Sequence, residues 1–241
     1  AVLYDLGSVT TPAAGSVNFD SLGFTSQAQG DLLVRGASSW ARLPAGTSGQ
    51  FLKTQGAGAD VTWATVSSDF VKINSSTASG ASVDFTSSHF DNSTYSSYVF
   101  KFMNIKPGTD GGHFCCRTSA DGGSNYDSSG YDRVVEERSS TGNEQQNGGD
   151  AQSEVRLTSD SNWGSATNES LSGTMFLYNP GASEYTHMNF TMAYQDDQAG
   201  TYWNSLHGSG QRTSAAAVTG IQFFPSSGTL SAGTVIMYGV K

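Results

Sequence analysis

Apolar and polar residues alternate with a period of two along much of the chain, most regularly over residues 186–194. There Met188, Phe190, Met192 and Tyr194 share one face and His187, Asn189 and Thr191 the other, as in a strand with one face in a core and one in solvent. Residues 98–105 repeat the pattern, with Tyr98, Phe100 and Phe102 together. Shorter runs at 71–73, 82–86, 113–118, 133–137, 154–157, 173–178, 219–224 and 234–238 are further strand candidates. Turn signals separate them: Pro107-Gly108, Asp110-Gly111-Gly112, Asp121-Gly122-Gly123, Asn179-Pro180-Gly181 and Ser227-Gly228. Many short strands with one apolar face each must stack those faces together, so residues 70–241 are expected to form an antiparallel β-sandwich. A domain of that length buries roughly 70% of its unfolded surface and could fold alone.

Residues 29–69 follow a different rhythm, in which one short unit is written twice. Gly30-Asp31-Leu32-Leu33 leads through Gly36-Ala37 to Trp40-Ala41, and Gly49-Gln50-Phe51-Leu52 leads through Gly56-Ala57 to Trp63-Ala64. Each copy reads as an apolar strand, a glycine turn and a second strand ending in tryptophan. Such units have too little surface to close a core alone, so a partner is expected to complete them, most simply another copy of the chain. Residues 1–28 contain only two extended segments, Val2-Leu3-Tyr4-Asp5-Leu6 and Val17-Asn18-Phe19. They are either an attachment segment or a lead-in to the repeats.

Two resemblances follow from these residues. The run Gly30-Asp31-Leu32-Leu33, Ala41-Arg42-Leu43-Pro44, Gly46-Thr47-Ser48-Gly49-Gln50 and Trp63-Ala64 resembles the shaft module of bacteriophage tail fibres and related virion appendages, in which three chains wind together. Downstream, residues 97–107, Asp121-Gly122-Gly123-Ser124-Asn125-Tyr126-Asp127 and Met175-Phe176-Leu177-Tyr178-Asn179-Pro180 resemble the C-terminal β-sandwich of such proteins. The closing element is the most specific piece: Ser227-Gly228, then Gly233-Thr234, then Tyr238-Gly239. The resemblance implies an all-β homotrimer: an N-terminal virion-attachment segment (1–28), an intertwined β-hairpin shaft (29–69) and a jelly-roll-like tip (70–241). It implies a place in the virion, on a tail fibre or the capsid surface, with other virion proteins bound through the N-terminal segment. The tip of such a fibre contacts the host surface, here expected to be a glycan. A capsid fibre or decoration protein on the phage head is the nearest alternative, and a polysaccharide depolymerase the alternative from another class.

Composition narrows the chemistry. Charged residues are only 14% of the chain, glycines number 29, and the net charge is -9 with no cluster of Lys and Arg, so nucleic acid is not an expected partner. No apolar run approaches the roughly 20 residues that span a bilayer, and the first residues lack the pattern of a signal peptide. Adjacent Cys115 and Cys116 point to opposite faces of a strand and are expected as two reduced thiols. No nucleophile-elbow, zinc-helix or phosphate-loop motif occurs, and His89, His113, His187 and His207 are not spaced as ligands. The chain is therefore expected to be a binding and structural protein, with no catalytic residue, metal or cofactor.

Three sets of polar residues offer ligand chemistry. The carboxylate pairs Glu136-Glu137 and Asp196-Asp197 suit glycoside hydrolysis poorly, the first because strand neighbours face apart and the second because it lies in a turn. Asp121, Asn125 and Asp127 offer oxygen ligands but lack the spacing of a calcium loop, and a hairpin turn accounts for them equally. A glycan surface needs a flat aromatic face beside Asp or Asn oxygens. Asp196, Asp197, Tyr202, Trp203 and Asn204, with Trp163 on another loop, supply both and form the candidate glycan-binding site. The competing role for Trp163 and Trp203 is to plug the sandwich ends or the trimer seam.

Overall fold

Every paired strand in the structure runs antiparallel to its neighbours, and none of the described residues is helical. The structure is a computed structural model that describes residues 26, 28–159, 163–181, 183–197 and 202–241. The extended segments expected around Val2 and Val17 lie outside these residues. The chain divides into two compact units, Ala1–Ser68 and Asp69–Lys241.

In the first unit β1 (Leu32–Arg35) pairs with β2 (Trp40–Leu43), and β3 (Gln50–Lys53) with β4 (Thr62–Thr65). The written repeat is thus a repeated hairpin. Gly30 and Gly49 occupy equivalent places before β1 and β3, both at positive φ (92° and 87°), where a side chain is disfavoured. The tryptophans open the second strand of each hairpin rather than end it: Trp40 is the first residue of β2 and Trp63 the second of β4. The Leu43-Pro44-Ala45-Gly46 step ties the copies together. Ala45 N–H donates to Asp31 Oδ1 (2.8 Å), and Trp63 Nε1 donates to the Pro44 carbonyl (2.6 Å). Gly46 is required there, because a Cβ would sit 2.7 Å from the Trp63 ring. Among the described residues no enclosed core accompanies these contacts: Leu33, Trp40, Phe51 and Leu52 are 38–58% exposed.

The second unit holds β5 (Phe70–Thr77), β6 (Val83–Phe85), β7 (Ser97–Pro107), β8 (Phe114–Ser119), β9 (Tyr131–Ser139), β10 (Glu144–Gln152), β11 (Val155–Arg156), β12 (Leu171–Tyr178), β13 (Thr186–Gln195), β14 (Trp203–Arg212), β15 (Gly220–Pro225) and β16 (Leu230–Val240). They form an eight-stranded sheet, β10-β9-β14-β13-β12-β7-β16-β5, and a four-stranded sheet, β11-β8-β15-β6. The chain crosses between sheets at every connection except β9–β10 and β12–β13–β14. Rings from both sheets meet between them. Phe223 of β15 lies 5.0 Å, centroid to centroid, from both Phe100 and Phe102 of β7, and Phe102 meets Phe114 of β8 edge to face at 5.3 Å. This is the expected all-β, sandwich-like arrangement, with Met188, Phe190, Met192 and Tyr194 on the buried face of β13.

Three departures from the sequence pattern have physical causes. On β7 the inward face runs Tyr98, Phe100, Phe102 and then skips to Ile105, because Asn104 (φ 51°) forms a bulge at which the register with β12 and β16 slips. β10 and β14 carry little apolar alternation and were not anticipated. On β14 the inward positions include Gly208, where a Cβ would lie 2.6 Å from the Phe190 ring, and Gly210, where it would lie 2.9 Å from Val155. Those neighbours fill the space that side chains would take. Finally, Cys115 and Cys116 are free thiols on opposite faces of β8 and both are buried, so the outer face of the small sheet is covered at Cys115 as well. Burial pushes the Cys115 thiol up to about 12 and Cys116 well above its ordinary value.

Candidate functional site

At one end of the eight-stranded sheet, polar inward positions replace apolar ones. The β9–β10 turn is closed by Ser139 N–H donating to the Asn143 carbonyl (2.9 Å) and Gly142 N–H to the Ser139 carbonyl (3.0 Å). It is latched to β14 by Ser140 N–H donating to the Trp203 carbonyl (2.7 Å). Register then places Asn204 of β14 between Tyr194 of β13 and Ser139 of β9, and Gln145 of β10 opposite Glu137. The result is a cavity of ≈ 160 Å³ lined by Glu137, Ser139, Asn143, Gln145, Asp196, Tyr202 and Asn204.

Among the described residues, two carboxylates and no Lys, Arg or His line this cavity. Glu137 is buried and accepts a hydrogen bond from the Tyr194 hydroxyl. Burial, and then the Glu137 charge, push the Tyr194 hydroxyl far above its ordinary value, which keeps it a donor. Asp196 is buried too, and its N–H donates to the Tyr202 carbonyl (3.2 Å). Asn204 is 1% exposed, and its Nδ2 has no hydrogen-bond partner among the described residues. An acceptor arriving in the cavity would give that donor a partner.

The six residues expected to form a glycan surface are thereby separated. Asp196, Tyr202 and Asn204 converge on the cavity, with Asp197 half-buried beside them in the turn. Trp203 and Asn204, as strand neighbours, project to opposite faces, and Trp203 stands 51% exposed on the outer face. Trp163 offers no ring to a ligand: it is fully buried, 5.4 Å from Phe114, with its backbone N–H donating to the Gly112 carbonyl (3.1 Å). Its expected place on a sugar-binding surface is corrected, since a large apolar ring gains more from the sandwich end than from water. Residues 198–201, within the same expected segment, lie outside the described residues. Ser139, Asn143 and Gln145 were not anticipated, and Glu137 figured only as half of a carboxylate pair, because β10 gave no strand signal and nothing in the linear sequence joins its turn to Asn204.

The other acidic groups are engaged elsewhere. Glu136 faces outward and pairs with His207 at 3.3 Å, on the face opposite Glu137. Asp121 closes its own loop: Oδ1 accepts from Ser119 Oγ (2.7 Å) and Asn125 N–H (2.9 Å), Oδ2 from Asn125 Nδ2 (2.7 Å). These bonds, Asn125 foremost, hold its carboxyl at about 2. Asp127 instead accepts from Arg212 Nε at 2.6 Å. Among the described residues no group of three or more His, Cys, Asp or Glu gathers as a metal site, and no helix is long and apolar enough to cross a membrane. Comparison with protein-family models, curated proteins and solved structures finds no match.

Proposed function

We propose that the chain is a homotrimeric bacteriophage virion appendage, a tail fibre whose N-terminal segment meets other virion proteins and whose C-terminal sandwich contacts a host-surface glycan. The observation that carries this reading is the first unit: two four-residue-stranded hairpins whose apolar residues Leu33, Trp40, Phe51 and Leu52 stay in solvent in the single chain. Isolated two-stranded hairpins are marginal in water, and braiding with sister chains would cover those residues. The winding of the second unit supports a jelly-roll-like tip. With β9, β10, β13 and β14 set aside, the other eight strands fall into two four-stranded halves in the order of two Greek keys, β5-β16-β7-β12 against β6-β15-β8-β11. Three tips on one shaft raise the effective concentration of each weak sugar contact, so low single-site affinity suffices.

The work proposed is binding and structural, with no bond made or broken. Native mass measurement tests the assembly: the expected species has three times the 25.3 kDa of one chain. A monomer at micromolar concentration would remove the shaft and with it the fibre.

A further inference from the structure

We propose that the cavity between the β9–β10 turn and the start of β14 is the subsite for one uncharged, hydroxyl-rich sugar ring of the host glycan. This deepens the reading of the sandwich as a glycan-contacting tip, and rests on it.

Size, donor balance and charge lead to the same ligand. At ≈ 160 Å³ the cavity is smaller than the roughly 300–1,000 Å³ of pockets that enclose drug-sized ligands, so it admits one ring and leaves the rest of a chain outside. Its wall offers the carboxylate acceptors of Glu137 and Asp196, the side chains of Ser139, Asn143 and Gln145, which both donate and accept, and, among the described residues, one buried donor in need of a partner, Asn204 Nδ2. A hydroxyl group answers both demands, since it accepts from the amide while donating to a carboxylate. An apolar occupant would leave the Asn204 donor buried and unsatisfied. A sugar acid would bring a further negative charge beside Glu137 and Asp196, with no cation in the lining to offset it. Uronic and sialic acids are therefore excluded, and hexoses and N-acetylhexosamines fit. Trp203, on the opposite face, takes no part in this subsite.

Saturation-transfer NMR on the intact chain tests the assignment. The probes are the methyl glycosides of glucose, galactose, mannose and N-acetylglucosamine at about 10 mM, a range suited to single-ring affinities. Methyl glucuronide serves as the anionic counterpart. The expected result is transfer to at least one neutral glycoside, none to the glucuronide, and a loss of at least about tenfold in affinity with Asn204→Asp, which keeps the shape and turns the donor into another carboxylate. Glu137→Gln keeps the shape while removing one charge, and is expected to relax the rejection of glucuronide. Transfer to no neutral glycoside, transfer to glucuronide by the unaltered chain, or unchanged binding in both variants overturns the proposal. Native mass of the same samples separates the two readings. A trimer that binds no sugar removes the subsite and leaves the appendage, whereas a sugar-binding monomer removes the appendage and leaves the subsite.

Discussion

Cys115 and Cys116 show how far a single position departs from its sequence reading once the sheets close. Strand alternation places them on opposite faces, and solvent would be the ordinary surroundings of one; the structure buries both. Raising the Cys115 thiol from 9.0 to about 12 lowers its reactive thiolate fraction about a thousandfold at neutral pH. Labelling with a thiol reagent at pH 7 is therefore expected to be slow in the folded protein and complete once urea unfolds it; rapid labelling of the native chain would contradict the burial. The linkage has a definite sign. A thiol whose folded value is raised contributes stability that is fully present below the unfolded value near 9 and is lost as pH rises from there toward 12. Tyr131, held near 12 by burial, acts in the same direction above its ordinary 10.0. Urea midpoints are expected to fall steadily between pH 9 and the alkaline limit of folding.

Among the elements, β7 carries the decisive irregularity. A strict period of two would turn Ile105 outward, yet it is fully buried, because the bulge at Asn104 inserts one residue and restores the inward phase. The bulge is supported on both sides. Asn104 N–H donates to Ser172 Oγ of β12 (3.0 Å), while Gly233 of β16, at φ 111°, lets its backbone pass where a Cβ would lie 2.6 Å from the Asn104 carbonyl oxygen. Gly233→Ala combines left-handed strain with a backbone clash and is expected to destabilise by about 2–4 kcal/mol in urea unfolding. Asn104→Val should cost about 1–2 kcal/mol, because a β-branched residue tolerates that φ poorly, whereas Asn104→Gly should be close to neutral. Equal effects for Val and Gly would show that φ at Asn104 is not what the bulge depends on. β10 and β14 make the complementary point: polar, glycine-bearing strands leave no hydrophobic rhythm to read, and their place is set by the neighbours they pair with.

For the whole molecule, the two units differ in how they shelter apolar surface. The second has a continuous core running through both sheets, from Phe85, Phe100 and Phe223 to Met188, Met192 and Leu206. The first has exposed hairpins. Removing residues 1–68 is accordingly expected to leave a folded, monomeric sandwich whose melting temperature lies within about 5 °C of the full chain's, by calorimetry and light scattering. Loss of cooperative unfolding in that fragment would mean that the sandwich depends on the hairpins.

What the sequence by itself determined is what short-range periodicity encodes: the all-β class, the repeated hairpin of residues 29–69, the buried face of β13, and that of β7 as far as Phe102. Those follow from spacing along one strand, where the side-chain period is fixed by the backbone. Only the tertiary structure decided that Trp163 is enclosed while Trp203 is not, and that Glu137, Gln145 and Asn204 share one cavity with Asp196. These depend on strand order and register: β9 and β10 form a local hairpin whose second strand carries no hydrophobic rhythm, and β9 pairs with β14 across distant positions, Ser139 with Asn204, which leaves no local trace in the chain.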